Sequence, residues 1–178
     1  VVAPCTPWEA GEATKALIKE NSVGYLRLDK TLIDTDLDNS IPFSLYKSRR
    51  YMEGDKLTII ATGGILKEVI DSAKNLKKNN IDIRVLGMHT LKPLDINEVK
   101  LAAIETGGII TVEENNHIGG LGGAIAETCM DLKVRPKLFY RIGLNDTYSS
   151  IVGSQEYLRK EYKIDSTAIT RKVLELIK

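Results

Sequence analysis

The chain has 178 residues, with 25 lysines and arginines against 24 aspartates and glutamates, a net charge of +1. That length gives room for one ordinary domain, or one domain and part of another, burying roughly 70% of the unfolded surface. So even a charge balance provides no field to gather nucleic acid or an anionic membrane, 43% hydrophobic residues exclude a disordered chain, and no apolar run is long enough to span a bilayer.

Val1-Val2-Ala3 has neither an initiator Met nor a signal-peptide pattern, as expected of a piece that begins inside something larger. These residues read as the end of a strand. Thr6-Pro7-Trp8-Glu9 supplies a capping residue, a proline at the first helical position and a carboxylate at capping-box spacing, so a helix is expected over 7–20. Val23 to Leu28 reads as a second strand, completing a strand, helix, strand unit. From Asp29 to Arg50 the period breaks at Asp34, Asp36, Asp38 and Pro42, and the stretch is expected to be a solvated linker.

Beyond it the pattern becomes regular. Tyr51-Met52-Glu53 before Gly54-Asp55 reads as a short antiparallel edge strand entered through a tight turn. Leu57 to Thr62, Ile81 to Leu86, Gly108 to Glu113 and Leu138 to Ile142 read as strands. Helices are expected to about Lys78, from the Asp95/Glu98 cap, over 122–132, near 155–161 and over 166–177. Strands separated by helices require crossovers, so the expected fold class is α/β: a three-layer α/β/α domain with a mainly parallel sheet and one antiparallel edge strand.

Chemistry is sparse. Cys5 and Cys129 are far apart, with neither disulfide density nor zinc spacing, which points to a reduced, cytoplasmic protein. His89 and His117 are isolated and read as structural or surface residues. Gly119-Gly120-Leu121-Gly122-Gly123 lies between a strand and a helix, where backbone amides can receive an anion or a bare turn can let the helix approach the sheet. It is not a dinucleotide fingerprint, because Ile125 fills the third glycine position, and no Gly-Lys-Ser/Thr makes it a phosphate loop. Glu113-Glu114 ends a strand on the carboxyl edge and reads either as an acid/base candidate or as a solvated pair capping nearby amides.

Three motifs occur in order: Thr90-Leu91-Lys92-Pro93-Leu94-Asp95; Val112-Glu113-Glu114-Asn115 with Gly119-Gly120-Leu121-Gly122; and Ile142-Gly143-Leu144-Asn145-Asp146-Thr147-Tyr148 with Gly153 and Leu158. Together they resemble the C-terminal domain of the thiamine-diphosphate-dependent transketolase family. Val2-Ala3-Pro4 with Glu9, then Gly24-Tyr25-Leu26-Arg27-Leu28, is similar to the end of that family's pyrimidine-binding domain. At Cys5-Thr6 the chain departs from relatives that have a small residue followed by Asp, and Thr6 serves equally as a cap.

The resemblance implies the end of a pyrimidine-binding domain at 1–28, a linker at 29–50 and a C-terminal domain at 51–178. It implies a part of an enzyme that transfers two-carbon ketol units between sugar phosphates, inactive alone, working as a homodimer with an N-terminal transketolase section. Thiamine diphosphate and magnesium belong to the complete enzyme, and neither is expected to bind this chain by itself. A deoxyxylulose-phosphate synthase-like or 2-oxoacid dehydrogenase beta-type fragment is the alternative within the family. A non-catalytic anion-binding or assembly module is the alternative outside it. The resemblance assigns one site residue, Arg27, to the substrate phosphate. Its planar donor fork suits phosphate, and each charged hydrogen bond contributes about 1.5–3 kcal/mol. The other reading of Arg27 is a strand-end arginine paired with Asp29 or Asp34.

Overall fold

A computed structural model describes residues 1–30 and 42–178. In chain order the elements are α1 (Pro7–Ile18), β1 (Arg49–Met52), β2 (Leu57–Thr62), α2 (Leu66–Lys77), β3 (Ile83–Gly87), α3 (Ile96–Glu105), β4 (Ile109–Asn116), α4 (Leu121–Asp131), β5 (Phe139–Leu144), α5 (Gln155–Glu161) and α6 (Ser166–Leu176). A single 3-10 turn, Gly63–Ile65, joins β2 to α2. No helix among the described residues is long and apolar enough to cross a membrane.

Five strands form one sheet in the order β1-β3-β2-β4-β5. β2, β3, β4 and β5 run parallel, and β1 lies antiparallel against β3. The expected α/β/α layering is therefore present. Along each central strand alternate residues feed opposite cores. Ile59, Val85, Ile110 and Ile142 pack under α2 and α6 with Val69, Leu76, Ile169 and Val173. Ile60, Leu86 and Ile109 pack under α3 and α4 with Val99, Leu121 and Ile125. Each such fully buried aliphatic side chain contributes about 1.5–3 kcal/mol, and this burial on both faces explains the near-continuous apolar runs of the sequence.

Three expectations change. The antiparallel edge strand exists, but it does not form a hairpin with β2: it takes the outer edge of β3, two positions away. Gly54 allows the crossing, since a Cβ there would lie 2.5 Å from the Ile83 carbonyl carbon. The segments around Val2 and Leu26 form isolated bridges rather than strands, Val2 pairing with Leu26 on one side and Thr90 on the other. Pro4 has no N–H to extend that ladder, and Val23 and Tyr25 are exposed. Finally, residues 42–50 are only in part a solvated connection, with Pro42, Ser44, Tyr46 and Lys47 exposed. Leu45 and Arg49 are buried, and Phe43 stacks on His89 with ring centroids 4.5 Å apart. The acidic stretch with Asp34, Asp36 and Asp38 lies outside the described residues.

The N-terminal segment is joined to the sheet by a buried polar seam. Glu9, fully buried, accepts from the Cys5 N–H at 2.7 Å and from the Tyr51 hydroxyl at 2.5 Å. The Arg49 guanidinium lies 4.7 Å from the centre of the Trp8 ring. Burial, with the Glu9 carboxylate beside them, raises the Cys5 thiol and the Tyr51 phenol well above their usual ranges, so both stay protonated.

Candidate functional site

The chain leaves β2 for β3 on one side, then crosses back over β2 to β4 on the other. The connections therefore diverge between the carboxyl ends of β2 and β4, the place where open α/β sheets form a ligand crevice. Gly63-Gly64 follows β2 there, and Glu113-Glu114 lies on β4, with Glu113 opposite Thr62.

Glu113 and Glu114 do different things, because successive residues of a strand face opposite sides. Glu113 turns toward α4 and is 1% exposed. Its two oxygens accept the Leu121 and Gly122 N–H groups, each at 2.9 Å, so the first amides of α4 receive a carboxylate from within the chain. Burial holds the Glu113 pKa above the usual carboxylate range, against those two amide bonds, which favour the charge. Glu113 thus caps neighbouring amides as one reading of the sequence expects, but from a buried rather than a solvated position, while Glu114 caps none.

The glycines around it are sites of close approach. A Cβ on Gly120 would overlap the Glu113 carboxylate, and one on Gly122 would come 2.7 Å from the Thr111 hydroxyl oxygen and the Arg141 Cδ. Ile125 is buried in the α3/α4 core. Two of the amides at this turn, those of Leu121 and Gly122, are thus already taken by the Glu113 carboxylate. Among the described residues, no group of three or more His, Cys, Asp or Glu side chains is placed to hold a metal ion.

Glu114 faces the other way, into the crevice. Arg159 of α5 grips it with two donors, Nε at 3.1 Å and Nη2 at 2.7 Å, a bidentate pair. The Gln155 amide also donates to it, at 3.0 and 3.1 Å. Arg159 reaches Glu68 of α2 at 3.4 Å, and Glu68 in turn accepts the Ser166 N–H at 2.8 Å. α5 and α6 are thus tied to the carboxyl edge.

Arg27 comes to the same crevice from the N-terminal segment. Its Nη1 lies 3.8 Å from Asp29, and its side chain is about one-third exposed. Asp29 accepts the Gly64 N–H at 3.3 Å and a Gln155 amide hydrogen at 3.3 Å. A Cβ on Gly63 would lie 3.2 Å from Arg27 Nη1, and Gly63 has φ +72°, a left-handed conformation suited to glycine. The pairing with Asp29 read from sequence is present, while Asp34 lies outside the described residues. About a third of the side chain stays exposed beside that pair, which leaves room for a further contact.

His89 is buried and structural, its Nδ1 3.0 Å from the Thr90 hydroxyl. His117 is half-buried near β5, its Nδ1 3.0 Å from the Leu144 carbonyl oxygen. Of the residues singled out from sequence, the fold thus gathers Arg27 and Glu114 around Asp29 and Gln155, and turns Glu113 away to α4. Gln155 and Arg159 were not singled out from the sequence. Their partners lie 41 to 126 residues away, and the only local signal is that α5 carries them on one face at i and i+4.

The sequence model of the family described as "Transketolase, C-terminal domain" matches residues 47–169. The chain is 31% identical over its full length to one subunit of the apulose-4-phosphate transketolase of Phocaeicola vulgatus, covering 56% of that protein. It is likewise 31% identical over its full length to a putative transketolase C-terminal section of Methanocaldococcus jannaschii, covering 55% of it. A solved structure described as a split gene transketolase, inactive beta4 tetramer, superposes with a TM-score of 0.88 at 25% identity, over 99% of this chain and 57% of that one. The chain spans about half the length of the curated relatives it matches.

Proposed function

Since the chain belongs to the transketolase family and carries its C-terminal domain, we propose that it is the C-terminal part of an enzyme that transfers two-carbon ketol units between sugar phosphates. The observation that carries this reading is the full-length match to proteins that are each described as one section or subunit of a transketolase. In this reading residues 1–28 close a pyrimidine-binding domain, 29–50 connect, and 51–178 are the C-terminal domain. The partner is an N-terminal transketolase section, and the assembly is a cytoplasmic homodimer. That a similar β-chain is described as an inactive tetramer supports self-association and inactivity of this half alone.

Glu113 already holds the first two amides of α4, which supports placing the family's thiamine diphosphate and magnesium with the N-terminal section. This chain's contribution is Arg27, whose charged fork binds the phosphate of the sugar substrate at the crevice, outside the reacting carbons.

The test is reconstitution. Calorimetry of the isolated chain with thiamine diphosphate and magnesium is expected to show no binding, and ketol transfer is expected only after an N-terminal section is added. Tight binding or turnover by the chain alone would overturn the reading.

A further inference from the structure

β5 is an edge strand, and one side of its backbone is open. The Ile109 N–H donates to the Leu138 carbonyl oxygen at 2.8 Å and the His117 N–H to that of Leu144 at 3.1 Å, so residues of their parity, Tyr140 and Ile142 included, turn their peptide groups to β4. Successive residues of a strand direct these groups to opposite sides. Phe139, Arg141 and Gly143 therefore point their N–H and C=O groups away from the sheet, and no other backbone among the described residues takes them up. Such a row of open groups can receive one more strand.

The same three residues line a groove of about 700 Å³, whose other wall carries Lys163, Arg171, Lys172 and Glu175. Lys172 is paired with Glu175 at 2.7 Å. Arg141 donates to the His117 carbonyl oxygen at 3.0 Å. Among the described residues no carboxylate pairs with Arg141, Lys163 or Arg171, so the groove carries positive charge without a counter-charge. The side chains follow the strand's period: Tyr140 faces α6, with Lys172 Nζ 5.3 Å from its ring centre, and Arg141 faces α4, its stem beside Gly122. A segment laid along β5 would alternate likewise, turning every second side chain to the side where Arg171 and Lys172 stand. Carboxylates at those positions would make charge-assisted bonds. A small anion could meet the cations but would leave the open peptide groups of β5 unused, whereas an extended acidic peptide engages both.

We propose that the open edge of β5 is a docking site for an extended acidic segment of a partner protein, which adds a strand to the sheet and carries carboxylates at alternate positions. The probe is acetyl-Glu-Val-Glu-Val-Glu-amide, titrated into the full chain at low salt and followed by NMR. Saturable binding is expected, with amide exchange slowed at Phe139, Arg141 and Gly143. The counterpart with lysine in place of glutamate is expected not to bind. Peptides N-methylated on the glutamates and on the valines are expected to differ about tenfold or more, because only one alternate set turns its N–H groups to β5. Arg171→Glu is expected to weaken binding about tenfold, and Lys74→Glu, the same charge change on the exposed surface of α2, to leave it within about twofold. Absence of binding, no slowing at the three amides, or equal affinity of the two methylated peptides would overturn the proposal. Inorganic triphosphate displacing the peptide at equal affinity would mark the groove as a general anion surface and overturn it too.

Discussion

The Tyr51 hydroxyl donates to the Glu9 carboxylate at 2.5 Å, joining the first helix to the edge strand of the sheet across 42 residues of chain. Glu9 is fully buried, and its other oxygen takes the Cys5 N–H. Tyr51→Phe leaves this buried charge one donor short without opening a large cavity. The variant is expected to lose about 1–3 kcal/mol of stability in urea denaturation, and the N-terminal segment is expected to gain amide hydrogen exchange before the sheet does.

Glu113 caps α4 from β4. Glu113→Ala strands the Leu121 and Gly122 amides in a buried site and removes a negative charge from the helix N-terminus. The expected cost is about 2 kcal/mol. Added acetate, which can refill the site, is expected to raise the melting temperature of the variant and not that of the native chain. Gly120→Ala is expected to destabilise as well. Its φ of −99° suits alanine, so the effect isolates the displacement of the carboxylate.

His89 gives a pH dependence. Burial lowers its pKa below the usual value of about 6.5, against the opposing pull of the Glu9 carboxylate. Between the native and unfolded values the unfolded chain binds the extra proton, so stability is full above the unfolded pKa and is lost as pH falls through the native one. Urea midpoints measured from pH 8 downward are expected to fall below about pH 6.5. His89→Gln, though weaker throughout, is expected to show a shallower slope in that window.

Arg159, itself buried, stands between the part-buried Glu68 and Glu114. Arg159→Met leaves two largely buried carboxylates without their cation, and a loss of about 2–4 kcal/mol is expected by thermal or urea unfolding. Lys160 pairs with Glu156 at the surface, so Lys160→Ala is expected to leave the unfolding midpoint close to that of the native chain. The contrast separates the buried clamp from the solvated face of the same helix.

Local rules were legible where one residue decides the outcome. Thr6 and Asp95 cap α1 and α3 as their side chains suggest, accepting from the Glu9 and Glu98 N–H groups. The reciprocal halves of those capping boxes did not follow, because Glu9 turns to Cys5 and Tyr51 while Glu98 pairs with Arg50 at 2.9 Å. Tertiary partners won both carboxylates. Strand order was equally illegible: nothing near Tyr51 says that its strand will lie against β3 rather than β2. At the site, Arg27 and the glutamate pair were visible as types. The bridge through Gln155 joins partners 126 and 41 residues away, which no local pattern encodes.

β5 closes the sheet on the side opposite β1. The 700 Å³ groove between it and α6 is lined by Arg141, Lys163, Arg171 and Lys172, with Glu175 paired to Lys172. Two copies extending their sheets edge to edge would bring these cations against one another. The positive border thus works as a guard against runaway strand pairing along β5.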